Sequence, residues 1–497
     1  MRKTIIIFIL AFVVGIHADA QKEFTLDSCR AMALRNNKQL NIARVKKDIA
    51  YNVRKAAHTK YLPHLDIIGG YELTSREISL LNNDEKNMLN NLGTNMAGQA
   101  GSSLSSIISS MTQSGIIDPA TAQAIGNASS GIGKSMSEAG NNLGNDIRKR
   151  FRTNTRNVYG AAVVVTQPVY MGGAIIAANK MAEISEKMVS SDIDLRSQDM
   201  ISKVDNAYWT IVSIKHKQKL VNSYLTLIKK LDNDVRKMIK EGVATKADGL
   251  KVDVKVNEAE MKLTQVENGL ALSKMMLCEI IGMPINESIT LADEESDNIN
   301  ENTEIPAADV NTAWERRPEL RLLDNAVELS TQNTRLIRAQ YMPHIGIEGG
   351  YIASNPSVFN GFEHKIEGMW NIGIFVQIPV WNWGECAYKV RASKSLQTIA
   401  KLELGDAREK VGLQVNQSQF KLSEANKRLI MANKNTECAE ENLRCATIGF
   451  KEGVMDVTDV MSAQTAWMDA QSQKIDAEVD VKLTQVDLQK VLGVLQY

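Results

Sequence analysis

The chain is poor in the residues that make turns and compact enzyme cores. Aromatic residues are 5% of its 497, and proline occurs nine times. So little proline leaves room for very long helices. Five cysteines is an odd number, and they are scattered, so no disulfide framework is indicated. Net charge is absent too: 58 basic residues balance 58 acidic ones. That removes any general pull toward nucleic acid or an anionic surface. Past the N-terminus no run of 18 or more apolar residues occurs, which excludes an ordinary transmembrane helix. A β-barrel is the other structure that lipid permits. No nucleophile–base constellation stands out, so the chain is not expected to be an enzyme, and neither cofactor nor metal is expected.

The N-terminus carries an export signal. Arg2-Lys3 precedes the apolar stretch Ile5 to Ile16, and Ala18-Asp19-Ala20 is a small-x-small cleavage site. Residues 1–20 are read as a signal peptide. Cys29 lies well past the cut, so no lipid-modified N-terminal cysteine is indicated.

Beyond the signal peptide the chain is a tandem repeat. Tyr61-Leu-Pro-His-Leu-Asp-Ile-Ile-Gly-Gly-Tyr71 returns as Tyr341-Met-Pro-His-Ile-Gly-Ile-Glu-Gly-Gly-Tyr351, at an offset of 280. Pro168-Val-Tyr returns as Pro379-Val-Trp, Glu241-Gly-Val as Glu452-Gly-Val, and Ile281-Gly282 as Leu492-Gly493, all at 211. The first repeat is about 21–290 and the second 313–497. The 69 extra residues of the first fall between Tyr71 and Tyr159. From Glu72 to Arg150 there is no Phe, Trp, Tyr, His or Cys. Residues 75–152 are read as a long inserted loop with room for short helices. Between the repeats, residues 291–312 are read as an acidic connector. Pro284 to Trp314 holds eight acids and no Lys or Arg.

Each repeat ends in a helical hairpin. No proline interrupts 169–283 or follows Pro379, and good helix formers fill both stretches. One break divides each, at Glu241-Gly242-Val243 and at Glu452-Gly453-Val454. The hairpins span about 174–282 and 385–493. Their ascending arms, 174–240 and 385–449, would each run roughly 100 Å at 1.5 Å per residue.

Strands have the opposite period. Trp370, Ile372, Ile374, Val376, Ile378 and Val380 alternate with Asn371, Gly373 and Gln377. The repeat partner 159–169 alternates through Tyr159, Val163 and Val165. Further strands are expected at 63–74 and 343–354. Such segments suit either transmembrane β-strands or an ordinary hairpin under a helix. Four strands cannot close a barrel, so spanning a membrane would require several copies.

This order resembles the TolC-type outer membrane efflux proteins. The resemblance rests on the doubled Tyr-x-Pro-His and Pro-Val-Tyr/Trp motifs, the two Glu-Gly-Val turns and the closing Ile/Leu-Gly pairs. It implies a mixed α/β tube, in which a trimer builds a 12-stranded β-barrel in the outer membrane, four strands per chain. Long helical coiled-coil hairpins continue it in the periplasm. Implied partners are two further copies, outer membrane lipid, a periplasmic adaptor, and through it an inner-membrane pump of RND, ABC or MFS type. The implied activity is a passive exit duct for efflux or, alternatively, type I protein secretion. A structural coiled-coil envelope protein is the reading from another class.

The resemblance also assigns residues. Gly242, Val243, Gly453 and Val454 occupy the turns that meet the adaptor. Asp248 and Asp459 match the family's Asp beyond the reversal and would line a periplasmic constriction. A second family Asp falls on Ser462, and a family Arg that locks the closed tip falls on Met455. Asp456 is the residue that compensates in part. Trp370, Ile372, Ile374, Val376, Tyr159, Val163 and Val165 are the expected lipid-facing residues. Residues 128–135 fit a relaxed phosphate-loop pattern, but lack the strand and helix flanks such a loop needs. His64 and His344 are lone histidines beside proline, read as structural.

Overall fold

The computed structural model describes residues 23–153, 155–296, 309–360 and 363–495. The signal peptide, residues 1–20, and most of the acidic connector lie outside these. The chain opens with β1 (Glu23–Phe24), α1 (Leu26–Asn36) and α2 (Lys38–Thr59), then enters β2 (His64–Leu73). Three helices follow: α3 (Asn83–Asn90), α4 (Leu92–Gln113) and α5 (Pro119–Arg150). After β3 (Asn157–Met171) come α6 (Ala174–Lys240) and α7 (Lys246–Ile281). Then β4 (Thr290–Leu291), a 3₁₀ turn at Ala292–Glu294, α8 (Val310–Arg316) and α9 (Pro318–Ala339) lead to β5 (His344–Asn355) and β6 (Glu367–Gln377). The chain closes with α10 (Glu385–Lys451) and α11 (Val457–Val491).

These elements form two compact units. One is helical, built from the segments up to Ala57, Ala174–Arg338 and Asn382 onward. The other, His58–Gly173 with Ala339–Trp381, holds the strands and α3–α5.

In the helical unit, α6 and α10 are each 67 residues long, and α7 and α11 are 36 and 35. Helices of that length are held by packing along a face rather than by propensity. One core joins Cys29 and Ala33 of α1 to Val204, Tyr208 and Ile211 of α6 and Leu277 and Ile281 of α7. A second joins Ala313 and Leu320 to Val415 and Leu422 of α10 and Leu488 and Leu492. A third, near the far turns, gathers Ile228, Val235, Val252, Phe450, Val460 and Met461. The closing glycines have a packing reason. Gly282 and Gly493 are left-handed, with φ of 75° and 70°. A Cβ on Gly282 would come within 2.8 Å of Asn36, and one on Gly493 within 3.0 Å of Arg316 and Arg317.

Buried polar groups strap the N-terminal helix and the connector's start to this core. Arg30 donates from Nε and Nη2 to the Asp205 carboxylate, both at 2.7 Å, and Asp205 is fully buried. Tyr208 Oη donates to Asp293 at 2.5 Å. Lys274 pairs with Glu294 at 2.9 Å, and Glu294 also accepts from the Leu291 N–H. β1 pairs in parallel with β4 alongside.

The strand unit contains an antiparallel sheet of order β2-β3-β5-β6. Its boundaries correct the expected ones. β6 covers Glu367–Gln377 rather than 370–380, so Ile378 and Val380 lie past its end. Pro379 has no N–H to give a ladder and restricts the residue before it. β3 runs to Met171, beyond the expected end at 169, because a bulge between Pro168 and Tyr170 absorbs the proline. β2 is one residue shorter at each end than expected, and β5 lies one residue further on.

The larger correction is the insert. It is a helical hairpin, not a loop. Composition misleads here because its glycines are packing residues. A Cβ on Gly93 would stand 2.2 Å from the Ser137 carbonyl oxygen, and one on Gly140 2.3 Å from the Gly93 Cα. Only glycine lets α4 and α5 approach so closely. Asn141 Oδ1 then accepts from the N–H groups of Gly93 and Thr94 at the start of α4. Asp118 caps α5 ahead of Pro119, and Asn82 with Glu85 forms a capping box on α3. The phosphate-loop-like residues 128–135 lie inside α5, where their N–H groups are spent on the helix.

Removing Arg30 leaves the Asp205 carboxylate buried without its partner. Arg30→Ala should therefore cost the helical unit about 3–5 kcal/mol. Burial already raises the Asp205 pKa above the ordinary carboxylate value, with Arg30 opposing. A raised carboxylate pKa destabilises as pH climbs through it. The deficit of Arg30→Ala should thus be largest at neutral pH and shrink on acidification, as read by thermal melts across pH.

Candidate functional site

Two places have the makings of function: the sheet faces and the helical turns. The register sorts the strand residues. Trp370 lies opposite Tyr351, Ile374 opposite Ile347, and Val376 opposite Ile345. Tyr351 lies opposite Val163, and Tyr71 opposite Tyr159. With side chains alternating along each strand, this puts Trp370, Ile372, Ile374, Val376, Tyr159, Val163 and Val165 on one face. All seven are exposed, Trp370 at 73% and Ile372 at 72%. The aromatic pairs Tyr71–Tyr159 and Tyr351–Trp370 lie on this face, four residues apart in register along β3. An apolar face bearing aromatics suits a lipid-facing strand.

The opposite face was not foreseen. It carries Asp66, Glu72, Thr166, Glu348, Asn371 and Gln377, and no Lys or Arg occurs in any of the four strands. The signal was present in the alternation: each acid sits one step from an apolar residue. Along the sheet, β2 and β6 are the edges, each with one side unpaired.

The turns are built alike. Gly242 and Gly453 both have φ of 77°. The Val243 N–H donates to the Met238 carbonyl at 2.9 Å, and that of Val454 to Gly449 at 2.8 Å. These six-to-one bonds close Schellman turns, for which a left-handed glycine is suited. Val243 and Val454 are left 71% and 82% exposed. Nothing in the turn needs them there.

Asp248 and Asp459 sit at the third position of the helices that follow. Asp248 Oδ2 accepts from the Thr245 N–H at 3.2 Å and hydroxyl at 2.6 Å, and Oδ1 from Lys251 at 3.1 Å. Asp456 accepts from the Asp459 N–H at 2.9 Å, and Asp459 accepts in return from the Asp456 N–H at 3.3 Å. Both are capping boxes. The Thr245 bond, then Lys251, holds the Asp248 carboxyl below its ordinary value. Its contribution to the cap is complete above the ordinary carboxylate range and fades as pH falls through the lowered pKa. Asp459 and Ser462 are exposed, one turn apart on α11, and Met455 is exposed in the turn itself.

Other candidates resolve into structure. His64 and His344 begin β2 and β5. Cys29 and Cys278 are buried in one core, while Cys438 and Cys445 are exposed and free. Among the described residues, no group of three or more His, Cys, Asp or Glu is placed to hold a metal ion. No described helix is long and apolar enough to cross a membrane.

The chain thus combines a four-stranded antiparallel sheet with one apolar face and two 67-residue helices, each folded back on a shorter one. Residues 310–494 match the family described as outer membrane efflux protein. The match covers the C-terminal part of the chain. No curated protein matches it in sequence. Solved structures show the same fold. The outer-membrane channel OprN is 14% identical, at a TM-score of 0.71, over 94% of this chain and 89% of its own. VceC, from Vibrio cholerae, is 13% identical at 0.69 over 94% and 96%. The open-state MtrE channel of Neisseria gonorrhoeae is 15% identical at 0.69 over 94% and 88%.

Two substitutions on one strand should separate its faces. Ile372→Arg should destabilise the membrane-inserted protein by about 2–4 kcal/mol, while Asn371→Arg, one residue away, should cost far less. Urea unfolding from lipid vesicles measures both. At the turn, Gly453→Val forces a left-handed valine and should cost roughly 1–2 kcal/mol. Faster amide exchange confined to residues 449–456 is the expected sign.

Proposed function

We propose that three copies of this chain pool their strands into one 12-stranded barrel in the outer membrane. The barrel is the exit of a passive duct whose helices stand in the periplasm. The observation that carries this reading is the pair of unpaired edges, β2 and β6, on a sheet whose outer face is apolar and bears aromatics. Four strands cannot close, and open edges cannot lie in lipid. Twelve strands give a lumen wide enough for small solutes. The two series of elements, α1-α2 with α6-α7 and α8-α9 with α10-α11, fit an internal duplication.

In this arrangement the carboxylate face turns inward. Asp66, Glu72 and Glu348 from three copies then line the lumen with no basic strand residue to balance them. Such a lining favours cations, so the duct suits cationic cargo. Efflux through a tripartite assembly is the reading we favour over polypeptide secretion for this reason. The sheet's apolar face likewise argues against a purely structural coiled-coil protein. A passive duct involves no catalytic step. Its energy and cargo choice belong to the inner-membrane pump, reached through a periplasmic adaptor.

The adaptor's contact is assigned to Val243 and Val454, apolar knobs held out by Gly242 and Gly453. Asp459, Asp248 and Asp456 are assigned to the periplasmic constriction in addition to their capping role. With Ser462 and Met455 in place of a further acid and a base, that constriction closes without the family's full salt-bridge lock.

Planar-bilayer conductance tests the duct. Purified protein should give channels with cation preference, and Glu348→Gln with Asp66→Asn should lower that preference several-fold without loss of trimer. Channels with no preference, or none at all, would sink the reading. Val454→Asp should abolish adaptor co-purification while leaving conductance unchanged.

A further inference from the structure

The hairpin of α4 and α5 has an unusual surface. Across residues 87–133 the only charged side chain is Asp118. An exposed helical hairpin ordinarily carries many charges. Up to Gly133 this one instead exposes Met96, Ile107, Ile125 and Ile132, with Ile132 at 68%, and its charges gather in the last part of α5, from Lys134 to Arg150. Gly98 and Gly131, inside its helices, have open space where a Cβ would stand. Helix-interior glycine costs stability, and within the protomer these two gain no close contact in return.

The hairpin's root explains which partner fits. It leaves the sheet at the end of β2, an edge strand, and returns into β3. The root is fastened by the Ser79–Arg152 bridge and the Arg152–Glu77 ion pair. On the trimer reading, that edge pairs with a neighbouring copy, so each hairpin rises beside a subunit boundary. Three hairpins are thereby brought around one symmetry axis. A surface near such an axis meets copies of itself, and like charges there would repel. An uncharged face avoids this.

We propose that the α4–α5 hairpins of neighbouring copies pack against one another around the symmetry axis and narrow that end of the duct. The occupant of the uncharged face is a second copy of the same segment. The inference rests on the trimer reading, and its test separates the two.

The half-buried and exposed native cysteines, Cys386, Cys438 and Cys445, are first changed to serine. Cysteine is then introduced at Ile107 or Ile132 in the full-length protein, and outer membranes are treated with a short bismaleimide. A second variant carries one cysteine on each sheet edge, in β2 and in β6, as the assembly control. The proposal expects covalent dimers and trimers from both. Edge crosslinks with hairpin cysteines that remain monomeric would overturn it and keep the trimer. Hairpin cysteines shielded from maleimide without crosslinking would overturn it too, since another occupant would cover them. Absence of both crosslinks would overturn proposal and trimer together.

Conductance gives a second readout. Replacing residues 80–151 with a short Gly-Ser linker is feasible because Ser79 and Arg152 are bridged. The trimer should persist, and conductance should rise at least about twofold. Intact trimers with unchanged conductance would contradict the narrowing.

Discussion

Lipid offers no partner to a backbone N–H or C=O. The sheet of this chain meets that constraint only in part. The sheet satisfies its inner ladders through β2-β3-β5-β6, but leaves two edges bare. Its outward face, from Tyr159 to Val376, is too apolar to rest in water. In the proposed trimer a second and third copy satisfy the edges, and lipid covers the apolar face. The helical unit meets a different demand. Helices of 67 residues need a continuous packing partner, and each folds back on a shorter helix along shared cores.

Much of this is legible in the sequence because the periods are clean. The alternation through Trp370 and Ile372 marks a strand, although its last three residues lie past the end of β6, and the proline-free stretches around two Glu-Gly-Val breaks mark long hairpins. The ascending arm of the first hairpin begins and ends where expected, at Ala174 and Lys240. The alternating residues expected to face lipid share one exposed face of the sheet. Strand ends are less legible. The strand expected to end at 169 is carried by a bulge to Met171, while β6 ends before Pro379.

The insert misleads for a physical reason. Gly, Ser and Asn lower helix propensity, and a window of them reads as loop. Propensity does not register that Gly93 and Gly140 face each other across two helices. That juxtaposition exists only once both have formed. The turn residues show the converse problem. Sequence resemblance assigns Asp248 and Asp459 to a gate, but the local structure gives each a capping task that would hold them there in any helical hairpin. Whether a residue caps, gates or does both depends on its neighbours in the assembly, which one chain's sequence does not contain.

The central claim is that the barrel belongs to three chains. Native mass spectrometry of the protein released from detergent micelles tests it most directly. The account predicts a dominant species with the mass of three mature chains, surviving until the micelle is stripped. A monomer or a dimer as the stable, channel-active species would contradict it, because neither supplies the twelve strands on which the duct depends.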